Sequence, residues 1–396
     1  MMRIAFVTGG VPLGGATTFT LFLAAALRRM DVSVEVFSFT AGNPLAEEFL
    51  EAGITVHTED ENRLIYEDRL QNLYAKLRAF KPTSVFAVIG NEAFEMLRYM
   101  PSGVSRIGII HDGLMQPRIL GPRYRHALDH LVVVAAYLRN EIKALDPQFP
   151  CTYLMHGIPI PARTAPRSPN LNKPLRLLYY GRFENSSKGV RLFPDIVAAL
   201  KRRQIPFVWT IHGHGPEEGF LKAALAPEIQ QGRIIFSKPV GYEQLSELVR
   251  NHDVYLLTSN HEGGPLTLLE AMSAGLVPVC GDIPCLIQEV ITPDNGFRVP
   301  RDKPDAYAAA IAALNTDRAL LERFSSAARK TVTEHYSARS MAQRYLSLLE
   351  SLPADRHAVW PEEIEPLPIL GQHGFRYGFW GRKIRRLMRN LVAVRP

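Results

Sequence analysis

The sequence predicts an α/β protein made of two Rossmann-like parallel-sheet domains, and three observations carry that expectation. Short apolar runs alternate with helical patterns through the first 160 residues, the signature of a parallel sheet crossed by helices. A second alternating series begins at Leu175. Between them, IPARTAPRSPNLNKP (Ile160–Pro174) is rich in proline and poor in apolar residues, which reads as an interdomain linker. A chain of 396 residues has room for two domains, each with its own core. The expected division is a domain over 1–160, a linker over 161–174, a second domain over 175–340 and a C-terminal helix with a basic tail over 341–396.

Taken in order, Arg3–Thr8 reads as the first strand, Thr17–Met30 as a helix and Val32–Phe39 as the next strand. Asn43–Ala52 and Asn62–Ala79 have helical spacing, and Ser84–Ile89 is a strand. Arg106–Ile110, Leu131–Val134 and Thr152–Met155 supply further short strands. In the second series the strands are Leu175–Tyr180, Phe207–Ile211, Ile234–Ser237, Val254–Thr258 and Val277–Cys280. Helical patterns separate them at Arg191–Arg203, Glu217–Ala226, Tyr242–Asn251 and Leu266–Ala274. One long helical region, Pro304–Leu352, follows. Open parallel sheets hold ligands at the carboxyl ends of their strands, so the loops there carry the candidate site.

Composition excludes several classes. Hydrophobic content of 46% and charged content of 21% are those of a globular protein. No stretch reaches the roughly 20 apolar residues of a membrane-spanning helix. The opening MMRIAFVTGG is a strand running into glycines and reads as mature sequence rather than a signal peptide. The cysteines at 151, 280 and 285 form no disulfide or metal framework, as expected of a reducing cytoplasm. The charge is unevenly placed. All 39 acidic residues lie at or before Glu365, while seven of the 46 basic ones follow it, so the body is neutral and the tail carries the net +7. In that tail Phe375, Tyr377, Phe379 and Trp380 precede an Arg-rich pattern with Ile384, Leu387, Met388, Leu391 and Val392 on one helical side. Over residues 375–395 this is the composition of an anchor for an anionic membrane surface; packing of the tail on its own domain is the alternative. No nucleic-acid module accompanies the charge.

The most informative segment is VYLLTSNHEGGPLTLLEAMSAGLVPVCGD, Val254–Asp282. Pro265 suits a first helical turn. Gly263 and Gly264 then precede a helix N-terminus, where bare amides and the helix dipole favour an anion. Glu262 and Glu270 bracket them, and carboxylates accept hydrogen bonds from sugar or ribose hydroxyls. Phosphate in the middle and hydroxyls at both ends describe a nucleotide sugar. Arg182 and Lys188 emerge after the strand Leu175–Tyr180, two cations suited to a diphosphate. Gly14 and Gly15 make a glycine-rich strand-to-helix turn that lacks the dinucleotide spacing G-x-G-x-x-G. His111 ends the Arg106–Ile110 run and is followed by Asp112, where it can hydrogen-bond a sugar hydroxyl or serve as a packed loop residue. Asn91 and Glu92 occupy a comparable place on the expected acceptor side. His212 with His214, and His126 with His130 at helical spacing, lack a third ligand or a HExxH glutamate and are not read as metal sites. No Asp-x-Asp occurs in the sequence.

These residues resemble the signature of the retaining family-4 glycosyltransferases (glycosyl transferases group 1), which have the GT-B architecture. The likeness covers roughly residues 1–350. It implies that Glu262 contacts the donor sugar and Glu270 the ribose, with the amides of Gly263, Gly264, Leu266 and Thr267, beside Pro265, near sugar and diphosphate. It implies that Arg182 and Lys188 grip the diphosphate, that Gly14 and Gly15 face the donor phosphates and acceptor, and that His111 lies near the reacting centre. Gly213, with Gly215 and Pro216, is similar to a turn behind the nucleotide, and the base is met by backbone near Pro239 and Val240. The resemblance also implies that the chain crosses back from the second domain to the first. His156-Gly157-Ile158-Pro159 departs from the family's Asn-Gly-Ile-Asp.

The reading is therefore a retaining, metal-independent glycosyltransferase with His111, Glu262, Arg182 and Lys188 as catalytic residues. It needs no cofactor and takes a nucleotide-diphosphate sugar, UDP or GDP, as donor. The partner is a glycan or lipid-linked acceptor for envelope polysaccharide or glycolipid synthesis at the cytoplasmic membrane face. Two alternatives stay open: a nucleotide-sugar epimerase on the same fold, and a non-catalytic, membrane-recruited subunit.

Overall fold

The structure is a computed structural model that describes residues 2–10, 14–42, 44–60, 64, 66–111, 124–160, 173–238, 242–352 and 359–364. Asp112, most of the expected linker (161–172), Val240 with its neighbours 239–241, and the basic tail from 365 lie outside the described residues.

The first sheet begins with β1 (Arg3–Thr8), the helix α1 (Gly15–Arg28), β2 (Ser33–Ser38), α2 (Ala46–Glu51), β3 (Thr55–Thr58) and α3 (Tyr66–Phe80). It continues through β4 (Ser84–Ile89), α4 (Asn91–Leu97), β5 (Ser105–Ile110), β6 (His130–Val133), α5 (Ala136–Leu145) and β7 (Cys151–Tyr153). The strand order is β3-β2-β1-β4-β5-β6-β7. The chain reverses its direction of winding between β1 and β4, so the loops after these two strands flank the switch point. Those loops lead into Gly14–Gly15 at the start of α1 and Asn91–Glu92 at the start of α4.

The second sheet starts at β8 (Leu175–Tyr180), followed by α6 (Asn185–Lys188), α7 (Phe193–Arg202), β9 (Phe207–His212), α8 (Glu218–Ala224), α9 (Ala226–Gln230) and β10 (Ile234–Ser237). Then come α10 (Tyr242–Arg250), β11 (Val254–Leu257), α11 (Leu266–Ser273), β12 (Val277–Gly281), α12 (Ile287–Val290) and β13 (Phe297–Val299). The order is β10-β9-β8-β11-β12-β13, with every pairing parallel. β11 and β12 are buried at every position and β8 at all but Arg176. Helices cover both faces of such a sheet, which is why these strands read as unbroken apolar runs. Its switch point lies between β8 and β11.

The chain forms two compact units: Met1–Ile109 with Gln116–Leu131 and Leu348–Pro396, and Ile110–Met115 with Val132–Ser347. The second unit so drawn includes residues 132–160, while β6 and β7 within that stretch are strands of the first sheet. Chain after 347 returns to the first unit, where Tyr74 donates to the Pro361 carbonyl at 2.9 Å and its ring meets Trp360.

The region Pro304–Leu352 is helical as expected and divides into three helices, α13 (Pro304–Thr316), α14 (Arg318–His335) and α15 (Ala338–Ser351). Asp317 starts the second by accepting from the Leu320 amide at 2.8 Å, and an Ile158–Ser337 bridge interrupts the chain before the third. His126 and His130 share no helix: the first lies in a 3-10 turn and the second opens β6. The edge strands β3 and β13 escaped notice because four and three residues, without an apolar run, leave little periodicity.

Candidate nucleotide-sugar site

The loops after β8 and β11 sit side by side at the switch point of the second sheet and are stitched by backbone bonds. Glu184 caps α6, its carboxylate accepting from the amides and hydroxyls of Ser186 and Ser187. These hydroxyls hold its carboxyl down at about 2. Asn260, on the β11 loop, donates its side-chain amide to the carbonyls of Asn185 (2.8 Å) and Ser186 (3.2 Å), and its backbone N–H to Ser187 (2.7 Å). Thr258 donates to the Lys188 carbonyl at 2.9 Å. Gly189 turns the chain with φ of 61°, and a Cβ there would collide with the Thr258 carbonyl. Lys188 is thereby fixed against the β11 loop, 74 residues away in sequence.

The Lys188 ammonium meets Glu262 Oε1 at 2.5 Å, and the buried Ser259 hydroxyl donates to the same oxygen at 2.7 Å. Arg182, by contrast, is exposed and makes no ion pair among the described residues. The Tyr179 hydroxyl holds its carbonyl at 2.8 Å. Arg182 is thus free to receive an anion, while Lys188 already has one.

Gly263 and Gly264 are required by close approach. A Cβ on Gly263 would strike the His111 carbonyl oxygen, and one on Gly264 would strike the His156 ring. His111 and His156 stack at 5.9 Å between ring centroids, 11° from parallel. Although His111 keeps some solvent contact, desolvation lowers its pKa to about 4, and that of the buried His156 falls well below the ordinary value for the same reason. Both rings are neutral at physiological pH, so His111 can donate or accept at a sugar hydroxyl without adding charge. Tyr137 reaches the Glu262 carbonyl at 3.3 Å.

Pro265 stands one residue before α11 rather than in its first turn. With ψ of 100° it is the N-cap, and its carbonyl accepts from Leu268 at 3.1 Å. The amides of Leu266 and Thr267 that follow are among those a helix leaves unused. One turn further, Glu270 accepts from the Tyr180 hydroxyl at 3.0 Å; the same hydroxyl lies 2.6 Å from the Thr267 carbonyl. Burial pushes the Glu270 carboxyl up to about 7, the Tyr180 bond opposing it. Tyr255 donates to the Thr267 hydroxyl at 2.7 Å, fixing the start of the helix.

Gly213 follows β9, its backbone N–H donating to Ser237 at 2.9 Å. A Cβ there would collide with the Gly181 carbonyl, so the glycine packs the β9 loop beneath Arg182. His212 is buried and shares a hydrogen bond of 2.8 Å with Ser237, whereas His214 points to solvent. Among the described residues no group of three or more His, Cys, Asp or Glu is placed to hold a metal ion. Gly14 and Gly15 belong to the first unit: Gly14 caps α1, and both are exposed with open space where a side chain would be. Asn91 and Glu92 begin α4 in the same unit.

The second unit therefore brings together Arg182, Lys188, Gly213, Glu262, Gly263, Gly264, Pro265, Leu266, Thr267, Glu270 and His111. Sequence reading missed Tyr180, Glu184, Ser259 and Asn260, and took His156 only as a departure. Glu184 had a legible signal, an acidic residue before Asn-Ser-Ser-Lys. Tyr180 and Asn260 act on partners distant in sequence, and Ser259 acts on Glu262 three residues on, a contact that spacing alone does not mark.

Residues 162–331 match the family described as Glycosyl transferases group 1. A GDP-mannose:cellobiosyl-diphosphopolyprenol alpha-mannosyltransferase of Xanthomonas oryzae is 30% identical over 187 residues, 46% of this chain and 44% of that protein. The chain spans under half the length of the first curated relatives it matches. A TarM variant of S. aureus, solved with Fondaparinux, alpha-GlcNAc-glycerol and UDP, superposes with a TM-score of 0.72 at 12% identity, over 89% of this chain and 100% of that one. Anabaena HepE in complex with UDP and glucose gives 0.69 at 15%, over 89% and 100%. At these identities the likeness is one of fold, two Rossmann-like parallel-sheet domains in the GT-B class. Residues 162–331 thus resemble the glycosyl transferases group 1 family, on a chain of GT-B fold.

Proposed function

We propose that the protein is a retaining glycosyltransferase that moves a sugar from a nucleoside-diphosphate sugar to a glycan or lipid-linked acceptor. The observation that carries this reading is the convergence, at one switch point, of Arg182 and Lys188 with Glu262, the Gly263–Thr267 loop and Glu270. Cations and helix amides suit the diphosphate, and the two carboxylates suit hydroxyls on either side of it. In the reaction the bond from the anomeric carbon to the diphosphate oxygen breaks, and the acceptor oxygen bonds that carbon on the same face. The acceptor's proton passes to the departing phosphate oxygen. Arg182, Lys188 and the loop amides stabilise the charge that develops there, with His111 and Glu262 orienting the sugar. Because these groups supply positive charge themselves, and no Asp-x-Asp motif is present, the reaction is read as metal-independent.

The mannosyltransferase relative is named for a diphosphopolyprenol acceptor. A lipid-linked acceptor fits the basic, aromatic composition of residues 375–395, which would hold the enzyme at the cytoplasmic face of an anionic membrane. No helix among the described residues is long and apolar enough to cross a membrane. Calorimetric titration of UDP, GDP and ADP, with EDTA present, into wild type and E270A tests the donor reading. One nucleotide binding tightly to wild type and weakly to the variant is expected; binding of none would overturn it.

A further inference from the structure

Glu262 is held in an unsymmetrical way. Its Oε1 takes both donors, the Lys188 ammonium at 2.5 Å and the Ser259 hydroxyl at 2.7 Å. Its Oε2 accepts nothing among the described residues and keeps its lone pairs for a ligand. The side chain is 10% exposed, Lys188 is 22% exposed, and Ser259 is buried. The carboxylate therefore sits in a place where solvent screens it little, locked by the same cation that the diphosphate needs. Arg182 makes no ion pair among the described residues, so the site offers a diphosphate one uncompensated cation rather than two.

Donor and product differ at the end of the molecule nearest this carboxylate. In a nucleotide sugar the terminal phosphate is a diester-like group with one charge, and the sugar presents hydroxyls to Oε2. In the bare nucleoside diphosphate that phosphate ionises a second time near neutral pH, and the hydroxyls are gone. Resting on the donor reading above, we propose that Glu262, positioned by Ser259 and Lys188, makes the site prefer the sugar-bearing nucleotide over the bare nucleoside diphosphate. The carboxylate accepts from the sugar while it is present. After transfer it faces an additional negative charge across a poorly solvated gap and competes for Lys188, which favours departure of the product. Ser259 is a positioning residue in this arrangement: without its hydroxyl the carboxylate swings away from the phosphate, and discrimination weakens.

The test is titration calorimetry of two probe pairs, GDP with GDP-mannose and UDP with UDP-glucose, into wild type, E262Q and S259A. For the pair that wild type binds, E262Q should take the bare diphosphate about tenfold more tightly and the sugar nucleotide several-fold more weakly. S259A, which keeps the charge, should shift the same ratio in the same direction by less. An unchanged ratio in both variants, or equal changes for both ligands, overturns the proposal. Should E262Q fail to fold, S259A alone decides, and an unchanged ratio there is again a refutation. If wild type binds neither pair, it is the donor reading that has failed, and the two failures are thereby distinguished.

Discussion

Glu270 provides the sharpest test of the site, because its burial works against the fold. Its carboxyl is pushed up to about 7 from an ordinary 4.5, with the Tyr180 hydroxyl as the opposing hydrogen bond. A carboxyl whose folded pKa lies above its unfolded one behaves oppositely to a salt-bridged carboxylate. Its penalty is absent below the ordinary value, grows as pH rises, and is complete above the folded value. At about 1.4 kcal/mol for each pH unit between the two, the full penalty is about 3 kcal/mol. Solvent reaching the edge of the half-buried side chain and the unsatisfied amide of a glutamine reduce the recoverable part to about 1–2 kcal/mol. E270Q should therefore raise the melting temperature of its unit by about 2–6 °C at roughly pH 8, and by nothing, or less than nothing, at roughly pH 5. The same variant should bind nucleotide more weakly, since glutamine is a poorer acceptor for ribose hydroxyls. Wild-type affinity should itself rise as pH passes upward through about 7, where the carboxylate forms in the free protein. Calorimetric melting at both pH values, with nucleotide titrations alongside, makes the measurement. A melting difference that is the same at both pH values would refute the reasoning, for it would mean that Glu270 is already ionised in the unliganded protein.

Three further outcomes are expected. R182A should lower turnover roughly a hundredfold or more with little change in melting, because Arg182 is exposed and makes no ion pair among the described residues; K188A should lower turnover too, but also destabilise, since it strands Glu262. Unchanged turnover in both would dismiss the diphosphate site. G264A should cost about 1–3 kcal/mol by overpacking against His156, and H156A in that background should recover part of the loss; strictly additive losses would show that the ring is not the obstacle. Deleting residues 372–396 should release the protein from anionic vesicles in a sedimentation assay while leaving nucleotide binding intact. Retention on the vesicles would end the anchor reading.

The strands at the centre of each sheet were legible because they are buried on both faces and so must be apolar throughout, as Val254–Leu257 and Val277–Gly281 are. The edge strands Thr55–Thr58 and Phe297–Val299 were not, since an edge needs few residues and tolerates polar ones. His126 and His130 looked like one helical face because spacing alone cannot tell a turn running into a strand from a helix. Among site residues, Glu262 and Glu270 stood out through a local pattern that glycines and a helix start make unusual. Ser259, Asn260 and Tyr180 carried no such pattern: Asn260 and Tyr180 act through partners in another loop or helix, and Ser259 through a turn of its own loop that brings its hydroxyl to Glu262.

By itself the sequence determined the two-sheet α/β class, the positions of its central strands along the chain, and the residue types that surround a phosphate flanked by hydroxyls. These follow from local chemistry: periodic burial, glycines before a helix, cations at strand ends. Tertiary structure alone decided that Lys188 is paired with Glu262 rather than waiting for a ligand, that Gly263 and Gly264 exist to clear His111 and His156, and that Glu270 is desolvated. The first depends on the β8 and β11 loops meeting at the switch point, and the second on the β11 loop packing against the segments that carry His111 and His156. The reason is physical: ion pairing, steric clearance and desolvation are set by distances between segments far apart in the chain, and only the folded sheet supplies them.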